Sequence, residues 1–214
     1  KSTFGTLTSS IFKVIQDPFY DFDCFAYDSK AVRLDDNAEL LRKRLVALHA
    51  MGYRQTILLT HSTGGIITLK LLSQVFLDNQ ELAAQQKTAP IQTGLESDLR
   101  VKAVHAYATP INGLRAAPGL GGTSAGRIFS PETLPDLRDG SPYLTSLQGA
   151  LKTLTTLMHA ANAEDRARLK LPVTFYQGQR DDWIVKNIDE AAARAAGWWP
   201  YAAAIVNTES GHSH

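Results

Sequence analysis

Five short apolar runs alternate along this chain with segments of helical period, and that alternation constrains the fold more than any other feature. The runs are Phe22–Tyr27, Thr56–Thr60, Val101–Ala108, Val173–Gln177 and Ala202–Asn207. Each is too brief for a stable helix, and near-continuous apolar runs of this length suit buried parallel strands. Between them, residues 36–51 place Leu40, Leu41, Leu45, Leu48 and Met51 near a 3.6-residue period, with Gly52 as a stop. Residues 64–77 carry Ile66, Ile67, Leu69, Leu71, Leu72 and Phe76, and the alanine-rich residues 186–196 end before Gly197. Strand–helix alternation of this kind predicts an α/β fold: a mostly parallel sheet with helices on both faces.

One stretch breaks the rhythm. Residues 109–171 separate two strands by far more than a crossover helix needs. The stretch opens with a loop containing Pro118, Gly119, Gly121, Gly122 and Gly126. It continues in an apolar helical pattern through Tyr143, Leu144, Leu147, Leu151, Leu154, Leu157 and Met158. A cap or lid over the strand ends, spanning 111–170 and inserted after the strand that ends near Ala108, is the expectation.

The bulk numbers narrow the classes. With 214 residues, 44% of them hydrophobic, one domain with a sizeable core is expected over 1–214. The 22 basic and 21 acidic residues leave a net charge of +1, which offers no basic field for nucleic acid. No apolar run approaches the roughly 18 residues of a membrane span. The single cysteine, Cys24, excludes an internal disulfide framework and favours a reducing, cytoplasmic compartment. Lys1-Ser2-Thr3 would fit the end of a phosphate loop. That reading needs an acidic residue ending a buried strand to organise magnesium, and Thr60 stands there.

The chemistry concentrates in Ile57-Leu58-Leu59-Thr60-His61-Ser62-Thr63-Gly64-Gly65-Ile66-Ile67: an apolar strand, a tight turn with Ser62 at its tip, and an immediate helix. Such a turn needs small residues two positions on either side of the serine, because strand and helix nearly collide there. Gly64 meets the requirement, and Thr60 stands where the usual pattern has glycine. A serine on this turn lies at a helix N-terminus, which favours developing negative charge, and the N–H of Thr63 can serve an oxyanion. Read alone, the same segment is also a plain tight turn with Ser62 as a helix cap.

A serine hydroxyl needs a base, and the base an orienting carboxylate. Val173–Gln177 runs through Gly178 into Asp181 and Asp182, and Ala202–Asn207 leads to His212. The order Ser, Asp, His at successive strand ends is that of a hydrolase triad. Asp181, three residues after Gly178, is the preferred acid; Asp182, three before Val185, is the alternative. His61 flanks the serine and shapes the turn, whereas His49, His105 and His159 fall within regular elements. None makes a metal-ligand spacing with Cys24 or an acidic pair, and no cofactor is called for.

Ser62 with its neighbours, Ala106-Tyr107-Ala108-Thr109-Pro110, Gly178 to Asp181, and Gly211-His212 together resemble the α/β-hydrolase superfamily. Within it the chain looks most like the serine-esterase and lipase group that includes the GPI inositol-deacylase-like proteins. That group carries a Thr-Pro-His-x-Gly-type segment; here it reads Thr109-Pro110-Ile111-Asn112-Gly113, with Ile111 in place of histidine. Ser141-Pro142-Tyr143-Leu144-Thr145-Ser146-Leu147 resembles a leucine-bearing segment of the same group. The resemblance implies a serine hydrolase acting on carboxylic esters, with lipids or other hydrophobic acyl esters as small-molecule substrates. It also implies an upstream strand ending in His-Gly, whose loop gives the second oxyanion donor. No His-Gly pair precedes Ser62, and residues 6–16 look like the helix after that loop. The missing strand would lie between Phe22–Tyr27 and Thr56–Thr60, so an extension upstream of Lys1 is expected, and another beyond His214. The departures at Thr60, Ile111 and the absent His-Gly segment leave a second expectation open: an inactive hydrolase-like binding or scaffold module of a larger protein.

Overall fold

In a computed structural model, residues 21–27, 33–86, 99–114, 133–163, 166, 172–178, 185–200 and 202–209 are described. Their elements follow the order α1 (Leu34–Ala50), β1 (Thr56–His61), α2 (Thr63–Gln86), β2 (Val101–Tyr107), α3 (Pro142–Ala160), β3 (Val173–Gly178), α4 (Glu190–Ala195) and β4 (Ala203–Thr208). The four strands form one parallel sheet in the order β1-β2-β3-β4. All four therefore end on the same edge, and whatever follows each strand leaves the sheet there.

Register explains the core. Thr60 pairs with Ala106, Ala106 with Phe175 and Phe175 with Ile205, so these four share one face of the pleat. Val104, Ala106 and Phe175 on that face are no more than 1% exposed. Leu34, Leu41 and Leu45 of α1, Ile66, Ile67 and Leu71 of α2, Leu144, Leu147 and Leu151 of α3, and Ala193 of α4 pack into the same cluster. Trp199, after α4, lies 5.7 Å from Phe175 between ring centroids. Ile57, Leu59 and Val206 point to the opposite face and are exposed.

Polar contacts lock the helices together. Lys70 of α2 sits 3.8 Å from the Asp35 carboxylate of α1 and 5.5 Å from the centre of the Tyr143 ring of α3. One ammonium thus bridges three helices, as an ion pair and as a cation over an aromatic face. Helix α3 starts where Ser141 caps it: the Ser141 hydroxyl oxygen accepts from Leu144 N–H at 3.1 Å, and Pro142 occupies the first turn, where no N–H is needed.

Two sequence expectations are corrected. Phe22–Tyr27 is not a strand and does not pair with β1, the outermost strand of the described sheet. Its side chains anchor it instead: Asp23 takes a forked bond from Arg44 at 2.8 and 2.5 Å, and Asp21 accepts from the Tyr53 hydroxyl at 2.7 Å. The alanine-rich helix covers only Glu190–Ala195, because 185–188 are tied to their neighbours. Lys186 N–H bonds the Gly113 carbonyl at 3.1 Å, and Ile188 N–H bonds the Gln177 side chain at 2.8 Å. Asp189 then caps the helix through Ala192 N–H at 3.0 Å. Within the 111–170 insertion, Leu144, Leu147 and Leu151 are buried in the cluster that also holds Ile66, Ile67 and Leu71 of α2, and Thr155 bonds the Trp199 carbonyl at 2.9 Å. Residues 115–132 of that insertion lie outside the described residues.

Candidate active site

Ser62 stands between β1 and α2 with φ at +54°, in the left-handed region that a residue bearing a Cβ rarely adopts. The strand must reverse into a helix within one residue, and only this conformation swings the chain round. Two backbone bonds pin the turn: Ser62 N–H to the Tyr107 carbonyl at 2.8 Å, and Gly65 N–H to the Ser62 carbonyl at 3.0 Å. The side chain is 6% exposed, and its hydroxyl has no hydrogen-bond partner among the described residues. A buried, unsatisfied hydroxyl on a strained turn costs stability and is a recurrent mark of a functional position.

The steric demand falls on a different glycine from the one the sequence pointed to. A Cβ on Gly64 would meet only ordinary contacts, the Tyr27 hydroxyl at 3.6 Å and Thr60 Cβ at 3.8 Å. Thr60 therefore fits where glycine was expected. A Cβ on Gly65 would lie 2.9 Å from Thr109 Cβ and 2.7 Å from its Cγ2, with Oγ1 closer still. Gly65 thus lets α2 press directly on the turn after β2. That turn is itself unusual, with Ala108 at φ +49° and Gly113 at +85°. Ile111 is fully buried there, so the residue that departs from the family pattern is a core residue.

Thr63 opens α2, is 7% exposed, and shares a 2.8 Å hydrogen bond with the Tyr27 hydroxyl. Burial raises the Tyr27 pKa above its ordinary value, and the Thr63 bond offsets only part of this. The phenol therefore stays neutral at neutral pH. Nothing in the local sequence around Tyr27 signals this contact.

Asp181, Asp182 and His212 lie outside the described residues. The strands that precede them, β3 and β4, run parallel to β1 and end on the edge where Ser62 sits. His105 points across the sheet to the Tyr176 hydroxyl at 3.1 Å, and His49 lies 3.3 Å from the Tyr53 carbonyl, so both belong to structural contacts. A cavity of about 330 Å³ opens between the turn at Ile111-Asn112, the start of α3 at Leu144, and Lys186-Asn187, beside the Lys186–Asp139 ion pair. Ser62 does not line it. Among the described residues no cluster of three potential metal ligands occurs, and no helix is long and apolar enough to cross a membrane.

No family model and no curated protein matches the sequence. Solved structures do. Phospholipase PlaB from Legionella pneumophila in complex with thio-NAD matches with a TM-score of 0.54 at 15% identity, over 86% of this chain and 39% of its own. Lipase BlEst2 from Bacillus licheniformis matches with a TM-score of 0.47 at 16% identity, over 84% of this chain and 66% of its own. The chain thus spans well under half of the phospholipase. At such identities the likeness speaks to the fold alone, a parallel sheet with helices of the α/β-hydrolase type.

Proposed function

We propose that this chain carries the catalytic core of a serine hydrolase that cleaves carboxylic esters, with Ser62 as nucleophile, His212 as base and Asp181 as the orienting acid, Asp182 being the alternative. The observation that carries the reading is Ser62 itself: φ +54° on a strand-to-helix turn, its hydroxyl buried and without a hydrogen-bond partner among the described residues. A serine acting only as a helix cap would have extended backbone and a bonded hydroxyl. In this mechanism His212 takes the Ser62 proton as the oxygen attacks the ester carbonyl. The Thr63 N–H, with a second donor, binds the oxyanion. His212 then protonates the leaving alcohol, and a water activated by the same histidine releases the acid.

Lipid or other hydrophobic acyl esters are the substrate class this reading favours. It is supported by the α/β-hydrolase fold shared with a phospholipase, and by the Thr109-Pro110-Ile111-Asn112-Gly113 and Ser141–Leu147 segments that resemble the GPI inositol-deacylase-like group. The insertion at 111–170 serves as the cap in this picture. Burial of the Ser62 hydroxyl also favours one competing reading, a hydrolase-like binding module whose serine never meets a substrate.

Turnover separates the two. In the full-length protein, Ser62→Ala and His212→Ala are each expected to lower hydrolysis of p-nitrophenyl acyl esters at least 1000-fold without shifting the melting temperature downward. Turnover retained by Ser62→Ala contradicts the mechanism. A folded wild-type protein without esterase activity supports the binding module.

A further inference from the structure

Ser62 is strained, and a strained turn persists only where its surroundings over-determine it. Three constraints meet at this one: the Ser62 N–H bond to Tyr107, the close packing of Thr109 on Gly65, and the hydroxyl–hydroxyl bond between Tyr27 and Thr63. The first two hold Ser62 and the third residue beyond it. Only the third acts on Thr63, whose backbone N–H faces the oxyanion in the proposed mechanism.

The geometry of that contact is specific. Tyr27 reaches the turn from 36 residues earlier in the chain, at 2.8 Å, and a Cβ placed on Gly64 would lie 3.6 Å from its hydroxyl. Its ring stacks on Phe25 at 6.0 Å and 25°, and Asp23 and Asp21 on the same segment are fixed by Arg44 and Tyr53. The phenol therefore comes from an anchored segment and not from a loose one. Thr63 lies at the first position of its helix, with a short, β-branched side chain that is stiff about χ1. Fixing its hydroxyl fixes the Cβ, and with it the direction of the peptide N–H one residue after the nucleophile.

Resting on the assignment of Ser62 and Thr63 above, we propose that Tyr27 is a positioning residue of the active site. Its hydroxyl, through Thr63, aims the oxyanion-binding N–H. The interaction is made by the transition state's partner and not by the substrate, so it sets kcat and leaves KM alone.

The test compares wild type, Tyr27→Phe, Thr63→Val and the double variant in the full-length protein. The readouts are kcat and KM on a p-nitrophenyl acyl ester, the rate of fluorophosphonate labelling, and the melting temperature. Tyr27→Phe keeps the ring and its stack on Phe25. It is expected to lower kcat and the labelling rate about tenfold, with KM unchanged, short of the roughly 100- to 1000-fold typical of losing an oxyanion donor outright. Thr63→Val is expected to match it, and the double variant to lose no more than either single one, because both substitutions break the same bond. Wild-type kcat in Tyr27→Phe, a loss confined to KM, or losses that multiply in the double variant would overturn the proposal while leaving Ser62 as nucleophile. A wild-type protein that the probe does not label at Ser62 overturns both.

Discussion

At Ser62 the left-handed backbone costs a residue bearing a Cβ about 1–2 kcal/mol, and the serine is kept there in spite of it. Glycine escapes that penalty. Ser62→Gly is therefore expected to be more stable than Ser62→Ala by about 1 kcal/mol in urea unfolding, although both lack the proposed nucleophile. Equal midpoints and slopes for the two would mean that the turn is not strained. Gly65 is constrained by space instead: Gly65→Ala drives a Cβ into Thr109 and is expected to cost roughly 1–3 kcal/mol, read by the same melts. The serine was legible in the sequence because strand, turn and helix are contiguous there. The glycine that matters most and the phenol beside Thr63 were not, since their partners lie far along the chain. The glycine that follows Gly64 was the only trace of that close approach.

Among the elements, the four strands were legible to within a residue at each end, because each is a short apolar run with no helical alternative. Phe22–Tyr27 reads the same way in sequence yet forms no strand. A strand needs a partner for its backbone groups, and this segment is committed through its side chains to Arg44, Tyr53 and Thr63. The helix expected from residue 186 fails for a related reason, its first residues being bonded to Gly113 and Gln177. Caps were better guides. Ser141 bonds both the Leu144 N–H and the Asp136 carbonyl, so Ser141→Ala loses the cap of α3 and the tie to the preceding turn. A loss of about 1–2 kcal/mol in chemical denaturation is expected, and a change within error would show that α3 is held by its buried leucines alone.

At the scale of the whole molecule, the described residues build an α/β-hydrolase-type parallel sheet with helices packed on it. Parallel strands ending on one edge follow from composition and order, and the strand ends are where this fold gathers its reacting groups. Asp181 and Asp182 follow β3 in the sequence, and His212 follows β4. Everything then rests on whether Ser62 is activated. The direct measurement is to treat the full-length protein with a fluorophosphonate probe and map the adduct by peptide mass spectrometry. The account predicts one adduct, on Ser62, that disappears in His212→Ala. A folded protein that takes up no probe, or takes it up on another residue, contradicts it.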